Sequence, residues 1–234
     1  MTPPPPAVET VGVLGGTFDP VHVGHLHVAS SARGSFGLGR VLLVPCARPP
    51  HKPRADVTDA SHRLAMLALA VAGREGLEIA TLEIDREGPS YTIDTLRALR
   101  DGSPPLRPLL VVGWDAFLDL PTWHRNAELL EEFDLVAVRR PEESPLAKER
   151  SPDADLAARI LDVPPGDGSG ARLLEARAAR GGRVYRLSVP PVPVSSRRIR
   201  ALAEAGEPLS GLVPEEVARY IQAHRLYGRK EEPR

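Results

Sequence analysis

The sequence predicts a doubly wound parallel α/β fold in a single domain. Short apolar runs alternate with helical segments in the order strand, helix, strand, helix, which is typical of a parallel sheet with helices on both faces. Three of these runs end at glycine or proline, and ligands in such sheets bind at the carboxyl ends of the strands. A chain of 234 residues fits one domain of this kind.

Each predicted strand is an apolar run bounded by turn residues. The runs lie at 11–14, 41–45, 77–82, 109–113, 135–138 and 184–189. Helices are predicted at 25–32, 61–70, 92–100 and 214–224, and a further helix begins at 196. We expect Gly34 to end the first helix and Ser61 to cap the second.

The stretch 141–183 interrupts this alternation. It mixes proline, glycine, aspartate and arginine, which predicts a long loop or insertion with one helix at about 171–179. The domain is therefore expected to cover 11–228 and to contain this loop-rich insertion. Residues 1–10 are expected to form a disordered, proline-rich tail and 229–234 a polar tail.

Composition argues against several classes of partner. The formal net charge of -1 disfavours long nucleic acid, whose binders carry a basic excess. No apolar run approaches the roughly 20 residues that span a bilayer, and the N-terminus does not resemble a secretory signal. A single cysteine, Cys46, excludes an intrachain disulfide. We expect a cytoplasmic protein without a membrane or nucleic-acid partner; its oligomeric state is left open, with a homo-oligomer as one option.

Two histidines follow the first predicted strand. The stretch that contains them reads Gly15, Gly16, Thr17, Phe18, Asp19, Pro20, Val21, His22, Val23, Gly24, His25. Paired glycines let a ligand approach the backbone closely, and the start of the next helix offers N–H groups to phosphate. His22 and His25 share one face of the first helical turn, so both imidazoles can donate to one phosphate group. No third ligand of clear spacing accompanies them, which disfavours a zinc site.

A second anion-binding pattern lies near the C-terminus. It consists of Ser195, Ser196, Arg197, Arg198, Ile199 and Arg200. A serine pair before a helical run is typical of a helix N-cap. Because Arg200 follows Ser195 by five residues, a hydroxyl, backbone N–H groups and a guanidinium can meet at one phosphate. The alternative is a capped helix with a solvated basic face.

These two stretches resemble the motifs of the HxGH nucleotidyltransferases. Residues 16–25 are similar to the histidine motif, and 195–200 to the second phosphate motif, Ser-Ser-Thr-x-Ile-Arg, although Arg197 stands where threonine or serine is usual. The resemblance implies a Rossmann-like fold and direct in-line attack of an acceptor phosphate on a nucleoside triphosphate. It implies catalytic roles for His22, His25 and Arg200, and Mg2+ held by the phosphates without a protein metal site. The implied ATP-binding residues are Gly15, Gly16, Thr17, Phe18, His22, His25, Ser195, Ser196, Ile199 and Arg200.

Residues in the middle of the chain suit a flat, ring-bearing acceptor. Trp123 can stack on a heteroaromatic ring, and N–H groups at the predicted helix start near Thr92 can hold a carboxylate. Asp115, which follows a strand, can accept hydrogen bonds from ribose hydroxyls. Each has a structural alternative, since Trp123 can be a core residue, Asp115 an N-cap and Tyr91 a packing residue.

The same segments resemble the nicotinate-mononucleotide adenylyltransferases. The matching stretches are Pro-Pro-His-Lys at 49–52, Ser-Tyr-Thr-Ile-Asp-Thr-Leu at 90–96, Gly-Trp-Asp at 113–115 followed by Leu120 and Trp123, and the segment 212–227. His124 stands where tyrosine or lysine often follows the tryptophan. The resemblance implies that Asp19, His51, Lys52, Tyr91, Thr92, Asp115 and Trp123 bind nicotinate mononucleotide.

The implied reaction is adenylyl transfer from ATP to nicotinate mononucleotide, giving nicotinate adenine dinucleotide and pyrophosphate in NAD biosynthesis. Two alternatives stay open at this point. The acceptor can be another one used in the superfamily, nicotinamide mononucleotide or phosphopantetheine. The chain can also be a sensor that binds ATP without chemistry.

Overall fold

Seven strands form one parallel sheet in the computed structural model, which describes residues 8–47, 57–139, 151–166, 168–175 and 182–228. The strands are β1 (Glu9–Gly16), β2 (Val41–Pro45), β3 (Leu77–Ile79), β4 (Leu106–Gly113), β5 (Asp134–Arg139), β6 (Ile160–Val163) and β7 (Val184–Ser188). Their order across the sheet is β3-β2-β1-β4-β5-β7-β6, with every pairing parallel. The predicted doubly wound fold is confirmed.

The chain reverses its direction across the sheet between β1 and β4. From β1 it proceeds outward through β2 to β3, and then returns to β4 on the other side of β1. Leu14 of β1 pairs with Leu43 on one side and with Val111 on the other. A reversal of this kind opens a crevice at the carboxyl ends of the central strands, so β1 and β4 end where a ligand is expected.

Nine α-helices among the described residues cover the two faces of the sheet. They are α1 (Val23–Phe36), α2 (Ala60–Val71), α3 (Thr92–Arg100), α4 (Trp114–Leu118), α5 (Asn126–Glu132), α6 (Ala154–Ala158), α7 (Ser169–Glu175), α8 (Ser196–Glu204) and α9 (Glu215–Ala223). Successive strand residues enter different cores: Leu14 packs with α1, α2 and α9, and Val13 with α3 and α4. Because both faces are covered, the strands read as continuous apolar runs. None of the helices in the described part of the chain is long and apolar enough to cross a membrane.

Two helix ends differ from the sequence prediction. α1 continues beyond Gly34 and ends at Gly37, whose φ of 60° is left-handed. Glycine adopts this conformation without steric cost, so the helix ends where the backbone turns and not at the first glycine. α2 is capped by Asp59 and not by Ser61, because Asp59 Oδ1 accepts a hydrogen bond from the Ser61 N–H at 2.8 Å.

The third strand is shorter than predicted. β3 ends at Ile79, and the Thr81 carbonyl accepts hydrogen bonds from the N–H groups of Ile84 and Asp85. The Thr81 hydroxyl also donates to the Asp85 carboxylate at 2.6 Å. Local hydrogen bonds of this kind compete with a strand ladder, so Leu82 lies in a turn and not in the sheet.

Part of the predicted insertion at 141–183 is regular structure. α6 and β6 lie inside it, and β6 pairs with β7 at the sheet edge, with Val163 opposite Leu187. β6 has only four residues and includes the exposed Asp162, so pattern alone hardly distinguishes it from a loop, and its pairing with β7 is a tertiary contact. The helix predicted at 171–179 is α7 and begins earlier, at Ser169.

Several predictions concern segments outside the described residues. These segments are 1–7, 48–56, 140–150, 167, 176–181 and 229–234, so most of both predicted tails falls there. The sequence prediction also omits α4 and α5. Each has fewer than eight residues, which is too short to give a clear helical period.

Gly37 and Gly34 offer a matched pair of substitutions at the end of α1. Gly37→Ala puts a side chain at φ 60°, with its Cβ 3.2 Å from that of Ala171, so we expect the free energy of unfolding to fall by about 1–2 kcal/mol. Gly34 lies within the helix, and nothing is within 4 Å of the Cβ that Gly34→Ala adds. This substitution should raise the free energy of unfolding by about 0.5–1 kcal/mol. Urea unfolding measures both changes, and a Gly37→Ala variant as stable as the parent would contradict the assigned helix end.

Candidate active site

His22 and His25 form the start of α1 and hold each other in place. His22 is the N-cap, and its Nδ1 accepts a hydrogen bond from the His25 N–H at 3.3 Å. His25 Nδ1 in turn accepts the His22 N–H at 3.2 Å. The two rings stack with centroids 3.6 Å apart, so they share one face, as their spacing predicts.

This reciprocal cap determines which ring nitrogen carries the proton. A ring nitrogen that accepts a backbone N–H has no proton of its own, so in each neutral imidazole the proton is on Nε2. Each Nε2 is then a hydrogen-bond donor, which suits an anionic phosphate oxygen. The His22 side chain is buried, with 7% of the residue exposed, so its ring is oriented by the protein and not by solvent.

Gly24 lets the start of α1 pack closely against the segment that leads into α8. It lies between the histidines, and a Cβ built on it would be 2.9 Å from Val194 Cγ1 and 3.1 Å from His22 Nδ1. The first distance is shorter than real Cβ contacts, so a larger residue would push the start of α1 away from the segment that leads into α8. The glycine of the histidine motif therefore serves close packing.

The start of α8 contacts the turn that follows β1. Ser195 caps α8 through its side chain, and Ser196 Oγ donates to the Pro20 carbonyl at 3.0 Å. Arg200 Nη1 donates to the Asp19 carbonyl at 2.7 Å. The structure thus brings the histidine turn and the arginine motif, which are remote in sequence, into one site.

Ile199 and Arg197 have opposite environments on α8. Ile199 is fully buried and belongs to the same core cluster as Val194, so it anchors the helix. Arg197 is exposed. The arginine that replaces the usual threonine therefore creates no packing conflict, and it adds a positive charge at the surface beside the helix start.

Asp19 joins the histidine turn to the C-terminal part of the chain. It is 3% exposed; its Oδ2 accepts the Thr58 N–H at 3.2 Å and its Oδ1 accepts the Tyr227 hydroxyl at 2.7 Å. Burial and the charge of Asp19 raise the pKa of Tyr227 above its usual range, so the hydroxyl stays protonated and donates. The Asp19 carboxylate thus contacts the protein's own groups.

Arg63 connects the ends of β1 and β2 with α2. It is 1% exposed, and its Nη1 donates to the carbonyls of Thr17 and Cys46 while its Nε donates to that of Thr58, each at 2.8 Å. Three carbonyls of partly buried residues share one buried cation, and these hydrogen bonds offset the cost of burying the guanidinium.

Sequence reasoning gave no role to Tyr227 or Arg63. A signal existed for Arg63, because it occupies the same helical face as Met66, Leu67 and Ala70, which are all buried. An arginine on the apolar face of a helix indicates a buried partner. No local pattern marks Tyr227, which lies beyond α9 at a φ of 64°.

A cavity lies beside the glycine pair at the end of β1, and we call it the acceptor cavity. Thr92 and Trp123, both predicted to bind the acceptor, line it together with Gly15 and Gly16. The other lining residues are Val13, Val44, Cys46, Glu83, Ser90, Thr95, Leu96, Leu110 and Val112. The cavity therefore joins the predicted phosphate site to a mostly apolar space with an indole on its wall.

Other predicted acceptor residues lie elsewhere. Tyr91 stacks on the His124 ring, with centroids 4.0 Å apart, and is not among the described residues that line the cavity. Asp115 is exposed on the first turn of α4 and is also outside that lining. His51 and Lys52 lie outside the described residues.

Comparison with known proteins places this chain in a family. The cytidylyltransferase-like family model matches residues 13–202. The chain is 42% identical over 221 residues to a probable nicotinate-nucleotide adenylyltransferase of Symbiobacterium thermophilum, with 94% of this chain and 96% of the relative covered. The chain belongs to the nicotinate-nucleotide adenylyltransferase family.

Other members of the nicotinate-nucleotide adenylyltransferase family give the same result. A probable member from Pseudomonas syringae pv. tomato is 42% identical over 221 residues, with 93% of each chain covered. Among solved structures, the Plasmodium falciparum nicotinic acid mononucleotide adenylyltransferase complexed with NaAD is similar with a TM-score of 0.68 and 17% identity, covering 94% of this chain and 97% of that one. At this low identity the likeness shows the shared fold.

Tyr227→Phe tests whether the C-terminal hydroxyl orients the histidine turn of this adenylyltransferase. Loss of a hydrogen bond to a buried carboxylate should lower the free energy of unfolding by about 1–3 kcal/mol, and it should also slow turnover because the turn that precedes His22 loosens. Tyr220→Phe is the matched control. The Tyr220 hydroxyl lies 2.9 Å from His62 Nδ1 and does not contact the histidine turn through this hydrogen bond. Denaturant unfolding and steady-state kinetics measure both; normal turnover in Tyr227→Phe would contradict the orienting role.

Proposed function

We propose that this enzyme transfers the adenylyl group of ATP to nicotinate mononucleotide and releases pyrophosphate, as a step in NAD biosynthesis. The observation that carries the proposal is the convergence of His22, His25 and Arg200 on one turn at the carboxyl end of β1. The adjoining acceptor cavity, with Trp123 on its wall, supports an acceptor that carries a flat ring. The names of the relatives support the same reaction.

The triphosphate of ATP is proposed to bind between the starts of α1 and α8. The start of α8 offers backbone N–H groups to an anion, whereas at the start of α1 the N–H groups of Val23 and His25 already donate to the Leu212 carbonyl and to His22 Nδ1. The α1 side therefore contributes mainly the Nε2–H groups of His22 and His25, and Arg200 adds a positive charge. The proposed ATP-binding residues are Gly15, Gly16, Thr17, Phe18, His22, His25, Ser195, Ser196, Ile199 and Arg200. Ile199 contributes by anchoring α8 in the core.

Catalysis in this proposal comes from orientation and charge stabilisation, without a protein nucleophile. A phosphate oxygen of the acceptor attacks the α-phosphorus of ATP in line, and the bond from the α-phosphorus to the bridging oxygen breaks as pyrophosphate leaves. Negative charge grows on the leaving group. His22, His25 and Arg200 are the proposed catalytic residues because they donate to oxygens at that place.

Mg2+ is proposed to enter with ATP, held by the phosphates. This ion keeps several waters and commonly binds through substrate phosphates. It therefore needs no carboxylate ligands from a site whose side chains are imidazole and guanidinium donors. Within the described ranges, no three His, Cys, Asp or Glu side chains gather into a metal-binding group. When bound, the ion neutralises phosphate charge, and the protein donors act on the remaining oxygens.

The acceptor is proposed to place its nicotinate ring in the acceptor cavity. Trp123 stacks on the ring, and the backbone N–H groups at the start of α3, near Thr92, hold its carboxylate. The remaining proposed acceptor residues are Asp19, His51, Lys52, Tyr91 and Asp115. Asp19 acts in this set by holding the turn, since its buried carboxylate accepts hydrogen bonds from Thr58 and Tyr227.

Pyrophosphate release with MgATP and each acceptor in turn tests this function. We expect kcat/KM for nicotinate mononucleotide to exceed that for nicotinamide mononucleotide by about tenfold, since a negative group at a helix start gains up to ~1–2 kcal/mol. Phosphopantetheine should give no release. Higher activity with the amide or with phosphopantetheine would overturn the acceptor assignment, and binding of ATP without release from any acceptor would favour a sensor.

Two histidine variants show whether the release comes from this site. His25→Ala should lower kcat about a hundredfold or more, because loss of one preorganised donor costs about 3 kcal/mol. His27→Ala, on the same helix with its ring near the Pro190 carbonyl, should keep near-normal turnover.

A further inference from the structure

Glu83 is a buried carboxyl group on the wall of the acceptor cavity. It lies in the turn after β3 and is 6% exposed. Its Oε1 accepts the Thr95 hydroxyl at 2.8 Å, and a second hydrogen bond joins it to Ser90. The proposed reaction gives this group no role so far, although it lines the same cavity as Trp123.

The cost of burying Glu83 points to a ligand that carries positive charge. Burial is the largest influence and leaves the pKa of Glu83 raised, although the hydroxyls of Thr95 and Ser90 and the charge of Arg86 lower it in part. Arg86 Nη2 donates to the Thr95 hydroxyl at 3.3 Å and is not among the described residues that line the cavity. Glu83 itself lines the cavity, so a cation that enters there would favour the charged form of this carboxyl group.

The proposed acceptor carries a positive charge of the required kind. The ring nitrogen of a pyridine mononucleotide is bonded to ribose, so the ring is a cationic pyridinium. A cation that leaves water needs compensation from an opposite charge or from an aromatic face. The cavity offers both, a carboxylate at Glu83 and an indole at Trp123.

We propose that Glu83 determines specificity for a cationic ring by supplying the counter-charge of the pyridinium. This inference rests on the proposed function. It divides the cavity between two charges: the start of α3 at Thr92 takes the negative carboxylate of the acceptor, and Glu83 faces the positive ring. Acceptors of the same shape with an uncharged ring gain nothing from Glu83.

The test compares two acceptors in the full-length enzyme at saturating MgATP. One is nicotinate mononucleotide, and the other is its 1,4-dihydro form, whose ring is uncharged. Glu83→Gln removes the charge but keeps a carbonyl oxygen for the Thr95 hydroxyl. We expect Glu83→Gln to lower kcat/KM about tenfold for the pyridinium acceptor and to change it less than about twofold for the dihydro form. If the dihydro form is not turned over, its inhibition constant replaces kcat/KM.

Two further variants separate charge from structure. Thr95→Val keeps the Glu83 carboxyl group but removes a hydroxyl donor that favours its charged form, so it should lower kcat/KM for the pyridinium acceptor in the same direction as Glu83→Gln and by a smaller factor. Glu78→Gln removes an exposed carboxylate on β3 and should leave the ratio between the acceptors unchanged. Thermal unfolding of each variant reports whether the fold is intact.

The outcomes distinguish this inference from the proposed function. An equal loss for both acceptors in Glu83→Gln, or no loss, would overturn the counter-charge role while the wild-type enzyme still used nicotinate mononucleotide. A wild-type enzyme inactive with nicotinate mononucleotide would instead overturn the proposed function. A selective loss for the cationic ring supports both.

Discussion

The backbone turn at 17–20 must be held in place before any other part of the site can work. Carbonyls in a turn lack strand or helix partners, and burying them unpaired would cost about 1–3 kcal/mol each. Arg63 from α2 and Arg200 from α8 donate to these carbonyls, and Tyr227 donates to the Asp19 carboxylate. Because these donors come from α2, α8 and the segment after α9, the position of the turn depends on tertiary contacts, and the orientation of His22 and His25 depends on the same contacts.

The two sides of the site use opposite electrostatics. On the proposed phosphate side, His22 and His25 accept backbone N–H groups at Nδ1, which leaves Nε2 as the donor, and the Arg200 guanidinium donates to the Asp19 carbonyl in the same turn. On the proposed acceptor side, the wall is largely apolar and carries the carboxyl group of Glu83. The end of β1, with its glycine pair, separates the two. This division suits a reaction in which an anionic triphosphate meets an acceptor with a cationic ring.

Local pattern was enough to predict six of the seven strands, the parallel α/β fold and the shared face of the two histidines. β2 and α3 have the predicted bounds, because an apolar run and a helical period depend on near neighbours. The sequence prediction failed where a tertiary contact decides the outcome. It missed β6, which forms by pairing with β7, and it missed the hydrogen bond from the Tyr227 hydroxyl to Asp19. Glu83 was also missed, because its polar side chain in a turn gives no sign of burial until α3 is packed over it.

The central claim is that the histidine turn and the arginine of α8 bind a single triphosphate. A double-mutant cycle on the dissociation constant of MgATP tests it, with His25→Ala, Arg200→Gln and the double variant. Two groups that act on one ligand in one network should be coupled by about 0.5–3 kcal/mol, so the double variant should lose less affinity than the two single losses combined. Additive losses within about 0.3 kcal/mol, or no loss in either single variant, would contradict a shared triphosphate site.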